Sequence, residues 1–192
     1  MHTISPIDSP KDYMMKLPIY SLLLLPLCLN AADVREVAGH TYPLQVEAKE
    51  LTWTLSGADH FRFRLFSVFT GALYISEAEP DARRLTFTYT RRLGADTLVE
   101  QGMRVLREGK PEAEIAARRE RLDKINNAYR DVDRGDRYTF TVIPERGTWL
   151  HLNEEEIFFI DDAGFGLWYL NIWLGDNPMS ASLRNALLEG IN

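Results

Sequence analysis

Apolar positions recur at every second residue along several stretches of the chain, the spacing of strands that turn one face inward. Residues 84–90 (RLTFTYT) alternate throughout: Leu85, Phe87 and Tyr89 fall on one face, Arg84 and three threonines on the other. That pattern predicts a half-buried strand. Residues 60–75 (HFRFRLFSVFTGALYI) read as a longer run of the same kind. Phe61, Phe63, Leu65, Phe69, Leu73 and Ile75 share one face there, with Arg62 and Arg64 opposite. Shorter strands are predicted over residues 42–47, 51–55, 137–143, 148–152 and 155–160.

Helical spacing takes over between these runs. One helix is predicted over residues 95–108, with Asp96 as its N-cap. A second spans 111–130, with Pro111 in its first turn and Glu112 and Glu114 near its positive end. Ile115, Leu122, Ile125 and Tyr129 form its apolar stripe, and Glu114 precedes Arg118 by four residues, the spacing of an ion pair. Arg118, Arg119 and Arg121 lie mainly off the stripe and read as a solvated face. Two more helices are predicted over 164–174 and 181–189. Gly175 is placed to end the first in the left-handed conformation, Pro178 to stop continuation, and Asp176 or Ser180 to begin the next. Strands and helices come in runs without strict alternation. The expected architecture is therefore α+β, with helices on one face of a long, largely antiparallel sheet.

The N-terminus has a different character. Residues 17–29 (LPIYSLLLLPLCL) are apolar but too short for a spanning helix, which needs about 20 residues. With Lys16 in front and Ala31 and Ala32 behind, they match the hydrophobic centre of a secretory signal peptide. Residues 1–31 are thus expected to be a signal peptide, and 32–192 the mature domain, periplasmic or otherwise exported and without a membrane span. Cys28 is the one cysteine and leaves with the signal; Leu27 before it does not suit lipid attachment. The mature domain then has neither disulfides nor thiol chemistry.

Composition narrows the function. Hydrophobic residues at 45% and aromatics at 11% are enough for a packed core. A net charge of −6 offers no basic footprint for nucleic acid. The four histidines show no metal-ligand spacing. Residues 131–136 (DVDRGD) read as a turn, since the glycine comes one place early for a calcium loop and no closing glutamate follows. Gly164 and Gly166 are followed by Tyr169 where a dinucleotide fingerprint needs glycine. No metal and no cofactor is expected.

Three segments carry a family resemblance: residues 66–75 (FSVFTGALYI), 133–153 (DRGDRYTFTVIPERGTWLHLN) and 166–190 (GLWYLNIWLGDNPMSASLRNALLEG), with IWLGDNP at 172–178 the most specific. Together they resemble the chalcone isomerase-like proteins of bacteria, exported relatives of plant chalcone isomerase. The resemblance implies an open-faced β-sandwich with a ligand cleft between the sheet and its helices. It also implies where chemistry would sit. The plant enzymes use an arginine before the long strand and a threonine within it. The threonine position falls on Phe69, which cannot donate a hydrogen bond, and residues 56–61 (SGADHF) hold no matching arginine. A bulge would be needed to turn Arg62 or Arg64 inward. The first reading is therefore a non-catalytic binder of an apolar or fatty-acid-like molecule. Arg62, Arg64, Phe69, Tyr74 and Trp173 are the candidate ligand contacts. The alternatives are an intramolecular lyase of the chalcone isomerase type, or a cell-envelope protein that meets a partner through its sheet or helix face.

Export has a direct check. N-terminal sequencing of the native protein is expected to read from residue 32 or 33, and a chain retaining residues 17–29 would contradict it.

Overall fold

A computed structural model, which describes Met1 and residues 33–191, shows what the alternating runs build. The expected signal segment and its cleavage points lie outside the described residues. A hairpin of β1 (Val34–Val37) and β2 (His40–Pro43) precedes a seven-stranded antiparallel meander. Its strands are β3 (Gln45–Ala48), β4 (Leu51–Phe63), β5 (Phe66–Ile75), β6 (Arg83–Tyr89), β7 (Arg137–Ile143), β8 (Gly147–Leu152) and β9 (Glu155–Ile160), in sequential order across the sheet. Helices α1 (Ala95–Gly109), α2 (Glu112–Ala116) and α3 (Arg119–Ala128) join β6 to β7. Helices α4 (Ala163–Tyr169), α5 (Asn171–Leu174) and α6 (Ala181–Leu187) follow β9. This is the expected α+β open-faced sandwich.

The helices cover one face only. Leu73, Leu85, Phe140, Val142 and Leu150 from the sheet meet Leu106, Ile125, Ile172 and Leu183 from the helices, all 2% exposed or less. That dry interface is the main source of stability, because each such side chain removed from water is worth about 1.5–3 kcal/mol. Among the described residues no helix is long and apolar enough to cross a membrane.

The opposite face is also closed, so β6 is buried on both sides rather than half-buried. Tyr42 lies across the sheet, and its hydroxyl reaches the Thr70 hydroxyl at 2.6 Å and the Thr88 hydroxyl at 3.1 Å. Thr86 and Thr139 hydroxyls meet at 3.2 Å, and Arg84 Nη1 donates to Thr141 Oγ1 at 2.8 Å. The threonines that sequence alternation assigns to water find partners in one another, which is what permits their burial.

Residues 60–75 are two strands, not one. A turn at Arg64 and Leu65 separates β4 from β5, and Arg64 takes φ 55° there. The turn contains no Gly, Asn, Asp or Pro, so its usual signal is missing. The shared face therefore divides: Phe69 and Leu73 enter the core, while Phe63 and Leu65 stand exposed.

Helix ends differ for equally local reasons. Asp131 Oδ1, not Asp96, accepts the Ala95 amide at 3.0 Å at the start of α1. The 111–130 helix breaks at Ala117 and Arg118. Glu114 accepts the Trp168 indole N–H at 2.9 Å, and the Arg118 guanidinium lies 4.8 Å over the same ring. The expected Glu114–Arg118 ion pair is replaced by a shared clamp on Trp168. The 164–174 helix is two short helices, α4 and α5, the first capped by Asp162, whose Oδ1 accepts the Phe165 amide at 2.8 Å. Gly175 has φ −76°, not the left-handed conformation. Its use is space, since a Cβ there would lie 2.6 Å from Asn171 Oδ1. Ser180 caps α6 as expected.

Gly166 tests the helix–sheet contact. A Cβ would overlap Thr148 Oγ1 and come within 2.7 Å of Val142 Cγ2. In an exposed helix Gly→Ala gains about 1 kcal/mol. Here overpacking reverses the sign, and Gly166→Ala is expected to destabilise by about 1–3 kcal/mol. Urea denaturation measures it; an unchanged or raised midpoint would contradict this account of α4 packing.

Candidate functional site

The helix layer does not seal the sheet at the ends of β4, β5 and β6. A cleft of about 550 Å³ remains there, between those strand ends, α1 and the α4–α5 segment. A register shift on β5 shapes its wall. Phe61 opposes Phe69 but Arg62 opposes Ser67, so Val68 has no partner across β4. A bulge of this kind brings two successive residues to one side. Val68 and Phe69 both line the cleft, while Ser67 turns away to meet His60 Nε2 at 2.6 Å and the Thr90 hydroxyl at 2.8 Å.

The wall is a chain of rings. Phe69 stacks on Phe61 with centroids 4.9 Å apart and meets Phe87 edge-on at 4.9 Å. Phe87 continues to Trp173 at 4.8 Å, and Trp173 to Tyr169 at 6.0 Å. Part of the lining is phenolic. Tyr169 donates its hydroxyl proton to the Tyr129 hydroxyl oxygen at 3.2 Å, and Tyr89 lines the same space. Burial pushes the Tyr169 phenol up to about 12 and lifts Tyr89 and Tyr129 as well. All three are neutral hydrogen-bonding groups at pH 7. Gly102 brings the α1 backbone close, its missing Cβ lying 3.4 Å from Ile172 Cδ1 and 3.9 Å from the Tyr169 hydroxyl.

The mouth is cationic. Arg62, Arg91 and Arg104 line it, and Arg104 is held in an ion pair with Glu108 at 3.1 Å. Arg62 and Arg91 have no carboxylate partner among the described residues. No carboxylate and no histidine is among the lining residues. No cluster of side chains able to hold a metal ion occurs among the described residues.

A profile of chalcone isomerase-like sequences matches residues 34–189. The chain belongs to the chalcone isomerase-like family. Among solved structures, the crystal structure of an Arabidopsis thaliana fatty-acid binding protein is similar, with a TM-score of 0.60 and 11% sequence identity. The match covers 79% of this chain and 92% of that one. At that identity the likeness is one of fold. No curated protein sequence matches the chain significantly.

Of the contacts read from sequence, this member of the family brings three together: Phe69 and Trp173 in the wall and Arg62 at the rim. Arg64 does not line the cleft; it sits on the turn beyond, its guanidinium 5.5 Å from the Phe63 ring. Tyr74 lies on the opposite face, 3% exposed beside Tyr42 and Trp53, because it follows Phe69 by an odd number of residues on one strand. Sequence reasoning missed Arg91, Tyr89 and Tyr129 as cleft groups. Tyr129 had a signal: it is the polar-tipped member at the end of an otherwise aliphatic stripe, and such tips seek a partner.

The buried phenols give a pH prediction. Their ordinary value is 10.0 and folding raises it, for Tyr169 to about 12, so their contribution is intact below pH 10 and is lost as pH rises through the raised values. Tyrosinate absorbance from these groups is expected to appear together with loss of near-ultraviolet circular dichroism, not before it. Complete ionisation with the fold intact near pH 10 would contradict the buried site.

Proposed function

We propose that this protein is a non-catalytic binder of an apolar carboxylate of the fatty-acid class, held in the cleft with its tail inward and its head at the arginine mouth. The observation that carries the reading is the division of the lining: exposed arginines at Arg62, Arg91 and Arg104 beside buried rings and neutral phenols. The volume of about 550 Å³ falls within the range of roughly 300–1,000 Å³ of small-molecule sites, which are mainly apolar with a few polar anchors. A guanidinium fork matches a carboxylate in charge and shape. The fatty-acid binding of the Arabidopsis structure supports the same ligand class.

A lyase reading is less well served. The lining holds no imidazole or carboxylate to move a proton near pH 7, and Phe69 occupies the donor position implied by the plant pattern. Export belongs to the proposal, on the strength of the apolar stretch at residues 17–29.

Titration with a fluorescent fatty acid is the test. Saturable binding is expected for the wild type. Arg62→Ala and Arg91→Ala are each expected to weaken it by about 1.5 kcal/mol, the low end for hydrogen bonds to charged groups, because the mouth is wet. Absence of saturable binding, or the same affinity in both variants as in the wild type, would overturn the reading and leave the rings as core packing.

A further inference from the structure

Three large apolar side chains stand in solvent at the β4–β5 tip. Phe63 and Phe66 are each 61% exposed and Leu65 is 84% exposed. None of them belongs to either hydrophobic cluster of the fold, so the packing does not explain them. Arginines surround them. The Arg64 guanidinium lies 5.5 Å from the Phe63 ring, and Arg91 lies 5.4 Å from the Phe66 ring. With Arg62 these make three cations that have no carboxylate partner among the described residues. Residues 60–76 and 82–95 contain no acidic residue at all, in a protein of net charge −6. The positive charge is therefore local to this tip. Phe63, Phe66, Arg62 and Arg91 also line the cleft, so the tip is its lip.

We propose that the β4–β5 tip docks on an anionic lipid bilayer, with Phe63, Leu65 and Phe66 entering the boundary between headgroups and acyl chains and the arginines meeting lipid phosphates. Apolar and aromatic side chains flanked by basic ones are the composition that settles at this boundary. Three side chains are too few to anchor irreversibly, so docking is reversible and salt-sensitive. A second copy of this chain is a poorer occupant. A two-fold contact would set the same patch against itself and bring two sets of unpaired arginines together. The use of docking, passage of a fatty acid between membrane and cleft, rests on the function proposed above; docking itself does not.

Leu65 and Arg64 separate the two, since neither lines the cleft. Sedimentation of ligand-free protein with vesicles of phosphatidylglycerol and phosphatidylcholine is expected to carry the wild type down at low salt, and vesicles of phosphatidylcholine alone to carry down far less. Leu65→Ser and Arg64→Glu are each expected to lower the vesicle partition coefficient by about tenfold. Their affinity for a fluorescent fatty acid without vesicles is expected to equal the wild type's. No sedimentation of the wild type with the anionic vesicles, or undiminished sedimentation of both variants, overturns docking. A dimer that Leu65→Ser dissociates, without vesicle binding, also overturns it and assigns the tip to self-association. Vesicle binding that follows the expected pattern in a protein with no saturable fatty-acid binding upholds docking and removes the cleft reading instead.

Discussion

Val68 has no partner across β4, and the cleft depends on that single extra residue. Without it, strict alternation would place one residue of each successive pair on each face. With it, Val68 and Phe69 both line the cleft, and Ser67 is released to the other side, where His60 and Thr90 hold it. The same shift leaves Phe69 between Phe61 and Phe87, in ring contact with both. A bulge also increases local twist. Here it sits just before the point where β4 and β5 run past the helix layer to their exposed turn.

That unsupported tip is tolerable because the rest of the sheet is fixed from both sides. One face is sealed by helices through aliphatic and aromatic packing. The other is closed by a second apolar cluster that includes Tyr42, Trp53, Tyr74 and Trp149 and by polar pairing within it, with Tyr42 bridging Thr70 and Thr88 and Arg84 bonded to Thr141. Buried hydroxyls would cost free energy if left alone, so their mutual bonds decide whether this face can close at all. The sheet is thereby held from both sides up to Phe69, and the exposed residues of the hairpin tip lie outside both clusters.

Much of this frame was legible in the chain. The strand over 137–143 follows directly from the alternation of Tyr138, Phe140 and Val142 with Arg137, Thr139 and Thr141, and the α+β layering follows from the way runs of strands and helices succeed one another. The turn at Arg64 and Leu65 was not legible, because it uses an arginine at φ 55° where glycine or asparagine would announce it. Burial of the threonine face was not legible either; period two reports which residues share a face, not whether another segment covers that face. Tyr74 is the instructive case. Its odd separation from Phe69 already put it on the far side of β5, and counting along the strand would have removed it from the site. Arg62 shows the reverse: period two alone put it opposite Phe69, yet it lines the rim of the cleft one residue from the end of β4.

The buried phenols of the cleft bear on how a ligand would lie. An apolar tail pressed against free hydroxyls would strip them of water and leave them unsatisfied. The Tyr169 hydroxyl donates to the Tyr129 hydroxyl oxygen at 3.2 Å, and that bond lowers the cost of setting a tail against the pair. A carboxylate head would gain nothing comparable there. Phenols that burial raises above their ordinary value can donate hydrogen bonds but carry no charge to offset the loss of water around an anion. The unpaired arginines are at the mouth, where a head keeps part of its hydration. The separation of exposed cations from buried rings and neutral phenols therefore favours one orientation over its reverse, and it would leave the polar end of a ligand beside the cations of the hairpin lip.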